Sequence, residues 1–295
     1  MIATDNRVLA VRYGELVTLK SSLYLNYSMY GEEDSEIAMD YFFWIVQSPE
    51  WTILVDCGFS AEAGDRRGRT MIHHPLDALA ALGMTTDSVD LIVVTHGHYD
   101  HIGNLAAFDG IPAVMGRVEY DFWMSNLSRG ELFWHSVEAE EVAHLAARHS
   151  AGLLTLVDSG ATVAPGVVID LVGGHTPGEM VVRVDTAVGE VVLASDAIHF
   201  YEEMDRDRPF AVTADLPEAY RAFEMLRKCN ATAGTLVVAG HDPAVRTRFP
   251  GRLIGLPDHI RDDVVVVAGP KDVDDSSVGV RGAAHGSLPD AGADR

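Results

Sequence analysis

The sequence predicts an α/β fold built as a four-layer αββα sandwich, and three observations carry that prediction. Strand-like runs fill both halves of the chain, helix-like segments flank them, and the residues with the most chemical potential stand directly after apolar strands. Two β-rich halves each need a partner for one face, and packing them together leaves the helices outside.

Taken in order, residues 8–13, 16–19, 41–47 and 52–55 read as a meander of short strands separated by Gly, Pro and acidic turns. Residues 24–40 mix aromatic side chains with Gly31 and the acidic run Glu32, Glu33 and Asp34, which suits a loop. Pro75 at the start and Gly83 at the end mark a short helix. Leu91, Ile92, Val93 and Val94 follow as a buried strand, and residues 111–115 as another. Residues 117–149 read as a helical insertion over the site. They are aromatic and irregular over 119–134, with helical spacing at Val137, Glu141, His144, Leu145 and Arg148. The second half repeats the strand signal at 153–157, 167–172, 180–184 and 191–194, and ends on a helix at 217–229 and a strand at 235–239. A catalytic domain is therefore expected over residues 1–268. From about Gly269 the chain is rich in Gly, Asp and Ser without periodicity, which predicts a flexible tail.

Lys and Arg total 22 against 44 Asp and Glu, a formal charge of −22 that repels nucleic acid and anionic lipid. The 47% hydrophobic and 22% charged residues are a globular composition, and no apolar run reaches the roughly 18 residues of a membrane span. The N-terminus lacks the basic-then-apolar order of a secretory signal, which predicts a cytoplasmic protein. Cys57 and Cys229 are too few for a disulfide framework and read as buried thiols in a reducing compartment.

The strongest chemical signal is Thr95-His96-Gly97-His98-Tyr99-Asp100-His101, directly after the strand at residues 91–94. Three imidazoles and a carboxylate desolvated together are costly unless a cation uses their lone pairs. Nitrogen and oxygen donors without thiolate suit Zn²⁺ first, with Mn²⁺, Fe²⁺ and Co²⁺ also compatible. One ion needs about three protein ligands and an open position, and this motif alone offers four candidates, so further ligands imply two metals. Three fit: His175 in Gly173-Gly174-His175-Thr176-Pro177-Gly178, Asp196 in Ser195-Asp196-Ala197, and His241 in Gly240-His241-Asp242, each following a strand.

This order, H-x-H-x-D-H, then G-G-H-T-P-G, S-D-A and G-H-D, resembles the metallo-β-lactamase superfamily over about Tyr41 to His241, and within it is most similar to the N-acyl-homoserine lactonases. The resemblance implies the metallo-β-lactamase fold. It also implies two divalent metal ions, one on His96, His98 and His175 and the other on Asp100, His101 and His241, with Asp196 between them. Asp56, in Val55-Asp56-Cys57-Gly58, matches a position that supports ligands without binding metal, and suits a turn former equally well. Three residues after the shared aspartate the lactonases place a tyrosine that contacts substrate, where this chain has His199; Tyr201 is the candidate to replace it.

Two divalent ions activate a shared water, so no Ser or Cys nucleophile is needed, and the chain has no G-x-S-x-G elbow. The expected reaction is opening of a small cyclic ester, such as an N-acyl-homoserine lactone, with Asp100 moving the proton and Asp196, His199 and Tyr201 completing the catalytic set. Substrate contacts are expected from Tyr99, Trp123, Phe133, Trp134, His199 and Tyr201. A cyclic carbamate or amide is the alternative substrate, and an iron-dependent redox enzyme the alternative chemistry. The charge argues against a nucleic-acid hydrolase. A metal-stabilised binding protein without turnover is a further class, which metal-dependent hydrolysis would exclude. The family resemblance also suggests a homodimer.

Overall fold

The computed structural model describes residues 5–269. The chain first lays down β1 (Arg7–Leu19), β2 (Glu36–Gln47), β3 (Thr52–Val55), β4 (Thr70–Met71), β5 (Leu91–Val94), β6 (Ala113–Gly116) and β7 (Leu154–Val157). It continues through β8 (Ala161–Ala164), β9 (Val167–Leu171), β10 (Met180–Thr186), β11 (Gly189–Leu193) and β12 (Thr235–Val238), and returns to the first sheet with β13 (Val264–Ala268). The first sheet has the order β13, β1, β2, β3, β5, β6, β7, with β4 beside β1; the second has β12, β11, β10, β9, β8.

Strand residues alternate between two faces, and here both faces are dry. Val8 and Ala10 of β1, with Phe42, Trp44 and Val46 of β2, point between the sheets. Their neighbours Leu9, Val11, Tyr13, Tyr41, Phe43 and Ile45 point the other way, under the outer helices. That is why β1 and β2 read as continuous apolar runs. Val182, Val184, Val191 and Leu193 close the inter-sheet core from the second sheet. The helix Leu216–Ala231 covers that sheet's far side with Ala219, Ala222, Phe223 and Leu226, one stripe at helical spacing. Its start is set by Asp215, whose side chain accepts from the Glu218 N–H, and by a proline in the first turn. Helices such as Pro75–Ala81 and Ala139–Ser150 lie on the outer face of the first sheet, completing the αββα order.

Several expectations are corrected. The two segments 8–13 and 16–19 are one strand, bent by a register shift between Arg12 and Gly14. Residues 36–40, expected within a loop, belong to β2, because backbone pairing from Leu19 with Glu36 onward extends the ribbon; only Glu36 and Ala38 are exposed there, while Met39 and Asp40 are buried. The valine run of β13 was not anticipated, although its pattern is a plain strand signal; it pairs antiparallel with β1. The irregular stretch at 119–134 is largely helical, with helices at Arg117–Met124 and Glu131–Trp134. The C-terminal tail expected from about Gly269 lies outside the described residues. Among the described residues no helix is long and apolar enough to cross a membrane.

Phe223 is 1% exposed where the outer helix packs on the second sheet. Replacing it with alanine should destabilise the fold by about 3–5 kcal/mol. This is measured as a lower urea midpoint with an unchanged slope.

Candidate metal centre

The polar cluster forms where strands end. β5 runs parallel to β3 and β6, and the chain leaving it carries His96, His98, Asp100 and His101. β11 and β12 are parallel neighbours, and their ends supply Asp196 and His241. The turn between β9 and β10 supplies His175. The ends of adjacent parallel strands leave a crevice that side chains can fill. Two glycines are needed for the closeness: a Cβ at Gly97 would lie 2.3 Å from the Trp123 indole nitrogen, and one at Gly240 would lie 2.8 Å from Asp196 Oδ1.

The seven residues form two groups, His96, His98, His175 and Asp196 in one and Asp100, His101 and His241 in the other, each with its donor atoms within 4.8 Å of one another. The Asp196 carboxylate joins them. Its Oδ1 lies 3.4 Å from His101 Nε2 and 3.0 Å from His241 Nε2, while Oδ2 lies 3.3 Å from His175 Nε2 and 3.7 Å from His96 Nε2. Asp100 Oδ2 is 3.9 Å from His101 Nε2 and 3.8 Å from His241 Nε2. Donors about 2.0–2.1 Å from a zinc ion stand roughly 3–3.5 Å apart, so the 3.0, 3.3 and 3.4 Å spacings around Asp196 are those of shared coordination. His96 Nε2, His101 Nε2, His241 Nε2 and Asp196 Oδ1 are buried without a hydrogen-bond partner. Orphaned buried acceptors facing one another need a cation, and the residues fit two divalent ions.

Four of the five rings are held from behind. The Nδ1–H of His101 donates to Asp56 Oδ2 at 2.7 Å, that of His175 to the Val212 carbonyl at 2.7 Å, and that of His241 to the Asp40 carbonyl at 2.8 Å. His96 Nδ1 faces Glu179 Oε2 at 3.1 Å. Holding one ring nitrogen fixes the tautomer and leaves the other for metal. His98 is turned around, with Nδ1 2.8 Å from His175 Nε2. Burial, reinforced by neighbouring imidazoles, pushes His96 and His98 well below the usual histidine range. Burial likewise takes His175 down to about 3, although Asp196 opposes it. All three are therefore neutral and able to donate lone pairs. Burial works against the Asp196 carboxylate, but the imidazoles of His199, His241 and His101 outweigh it and hold its pKa well below the usual range.

Asp56 proves to be both things the sequence allowed. It occupies a left-handed turn at φ 61°, and its carboxylate also accepts from the Thr95 N–H at 2.9 Å and hydroxyl at 2.8 Å. Two buried carboxylates were missed. Glu119 accepts from Gly97 N–H at 2.9 Å, from the Trp123 indole at 2.6 Å and from Gly178 N–H at 2.9 Å, tying the His96–His98 loop to the His175 turn. Glu179 accepts from the Asp196 N–H at 3.2 Å. Burial raises the pKa of both. An acid between Gly178 and the apolar run of β10 was a usable signal for Glu179, whereas nothing in its spacing marks Glu119.

The expected substrate contacts fare unevenly. Tyr201 does not replace the lactonase tyrosine: its hydroxyl donates to the Val237 carbonyl at 3.0 Å and its ring packs in the apolar core beneath Arg248. Trp123 is 0% exposed and backs His98, 5.8 Å away edge to face, so it supports a ligand instead of lining an opening. Tyr99 is buried against Phe59 and Arg67, its hydroxyl accepting from Arg69 at 3.2 Å. Phe133 and Trp134 remain half-buried, packed against Phe122 and Arg129. His199 is 1% exposed, stacked on Phe210 at 3.6 Å, with Nε2 3.1 Å from Asp196 Oδ2 and Nδ1 3.3 Å from Glu203 Oε1. Burial opposes its charged form, yet the two carboxylates outweigh burial and push it up to about 9.

Glu119→Gln keeps the shape but turns one acceptor into a donor facing an N–H group. The group formed by His96, His98, His175 and Asp196 should then bind metal roughly 10–100-fold more weakly, measured by competition with a chelating dye.

Residues 41–241 match the family model described as metallo-beta-lactamase superfamily. The chain is 25% identical over 214 residues to an N-acyl homoserine lactonase of Bacillus thuringiensis, covering 68% of this chain and 80% of that protein. It is 24% identical over 267 residues to the N-acyl homoserine lactonase AttM of Azorhizobium caulinodans, covering 81% and 94%. Among solved structures it is similar to AidC, a dizinc quorum-quenching lactonase in complex with a product, with a TM-score of 0.68 and 20% identity over 82% of this chain and 90% of that one. With the fold, the paired donor groups and the family match in agreement, the chain belongs to the metallo-β-lactamase superfamily.

Proposed function

We propose that the protein is a dinuclear metal hydrolase that opens a small cyclic ester of the lactone class. The observation that carries this reading is the division of Asp196, whose two oxygens face two separate sets of imidazoles. Similarity to N-acyl homoserine lactonases supports the substrate class. When bound, two divalent ions, zinc first among them, supply an activated water at neutral pH and a Lewis-acid contact for a carbonyl oxygen. Asp196 keeps the two positions in register, and Asp100 takes the proton from the attacking water and delivers it to the leaving oxygen. Phe133 and Trp134, the half-buried aromatics of the helical region, are the proposed apolar wall. Quorum quenching is the biological role this reading implies. The two free thiols support a cytoplasmic location. Leu127 and Leu132, 75% and 83% exposed, support pairing of two chains through the same helical region.

Elemental analysis after reconstitution should find close to two equivalents of transition metal per chain, and one or none would count against the reading. A panel of lactones, cyclic carbamates and cyclic imides then identifies the ring. Asp196→Asn should lose turnover and at least one metal while the circular dichroism spectrum is kept; full activity with both metals would rule out a shared carboxylate.

His199 governs the choice among rings in this proposal. A tyrosine ring at this position would stack on Phe210 as the imidazole does, and its hydroxyl would project beyond the place of Nε2. His199→Tyr should therefore retain both metals and shift relative turnover towards acyl-homoserine lactones. A donor gained at a developing oxyanion changes rates by roughly 10²–10³ where measured in other enzymes. Identical ring preferences for His199→Tyr, His199→Ala and the parent would make His199 a packing residue.

A further inference from the structure

His241 is held at its ring and at its carbonyl by one residue of β2, while its N–H donates to the His199 carbonyl at 2.9 Å. The Asp40 carbonyl accepts from His241 Nδ1 at 2.8 Å, and the Asp40 N–H donates to the His241 carbonyl at 2.9 Å, so ring and backbone are gripped together. The adjacent Tyr41 sets its ring edge-to-face against the imidazole at 4.9 Å. Asp40 itself is 1% exposed, and its carboxylate has a guanidinium on each side: Arg12 Nε 2.8 Å from Oδ1 and Arg246 Nε 2.9 Å from Oδ2. Arg12 belongs to β1 and also pairs with Asp263, just before β13, at 3.0 Å. His73 Nε2 meets the other Asp263 oxygen at 2.8 Å. Arg246 comes from the short helix Val245–Arg248 that follows His241. β1 and the helix after the ligand are thus pinned to one buried acid.

We propose that Asp40, clamped between Arg12 and Arg246, is a positioning residue for His241 and sets how firmly the metal position of Asp100, His101 and His241 is held, separately from the other position. This rests on the metal-centre reading above. A buried carboxylate flanked by two cations stays in place only while both charges face it, and removing its charge leaves two guanidinium groups at the spot that anchors the ligand. The other position has its own support in Glu119 and Glu179, which do not touch this network. A loosened Asp40 therefore acts on one position alone.

The test uses the full chain reconstituted with Zn²⁺ or Co²⁺ as parent, Asp40→Asn, Arg246→Met, Arg246→Lys and His241→Ala, the last as reference for an emptied second position. Supporting residues behind ligands change metal affinity about 10–100-fold. At a chelator concentration where the parent keeps two equivalents, Asp40→Asn and Arg246→Met should keep about one, with Co²⁺ absorption spectra that match His241→Ala. Arg246→Lys should recover part of the loss. Should Asp40→Asn fail to fold, Arg246→Met carries the test, since that side chain is 33% exposed. If the variants keep both metals like the parent, or lose both together, Asp40 is structural only and the proposal is wrong. A parent that never holds two equivalents overturns the metal-centre reading itself, and this proposal with it.

Discussion

Asp196, one buried carboxylate facing five imidazoles, is the interaction on which the rest of this structure depends. Each of its oxygens stands within 3.0–3.7 Å of nitrogens from two ligand histidines, and His199 adds a further ring at 3.1 Å. Charges and polar groups are expensive to bury unless they are paired or bound to metal. The fold must bring together groups that would otherwise disperse into water, and must keep them from satisfying one another so that they stay available to a cation.

The chain meets that constraint by giving four of the five ligand histidines a rear partner. Asp56, Glu179, the Val212 carbonyl and the Asp40 carbonyl take or face the Nδ1 atoms of four histidines, so the lone pairs left over point inward. All four supports stand on elements distinct from the ligand they hold: Asp56 follows β3, Asp40 lies in β2, Glu179 precedes β10, and Val212 lies in the segment before the helix Leu216–Ala231. The sandwich is therefore what aligns the site. Glu119 reaches in from the helix Arg117–Met124 and ties two ligand loops through their backbone N–H groups, which couples that helical region to the metal positions.

The same packing narrows where specificity can come from. Several aromatics that the sequence offers near the motif are spent on support: Trp123 backs His98, Tyr99 sits under Arg67 against Phe59, and Tyr201 closes the core. His199 meets Asp196 from the side, and Phe210 covers its ring face. The segment holding Phe210 is pinned to the N-terminal region through Leu25 N–H to Pro209 and Ala211 N–H to Leu23, so the orientation of His199 is tied to a distant part of the chain.

The sequence by itself determined the donor types and their order along the chain: His96, His98, Asp100 and His101 after one buried strand, then His175, Asp196 and His241 after others. It also determined most strands, because apolar runs between turn residues are local signals. Strand continuity was not local: whether residues 36–40 join β2 depends on pairing with β1, and β13 finds its place only beside a strand more than two hundred residues earlier. The roles of Glu119 and Asp40 were equally hidden, since an acid alone in a helix or strand looks the same whether it faces water or grips a ligand. Tertiary structure decided which aromatics support ligands and which stay half-exposed, and it set which oxygen of Asp196 faces which donors. Side-chain direction and burial are set by contacts between segments far apart in the chain, and those contacts leave no periodicity in the sequence to read.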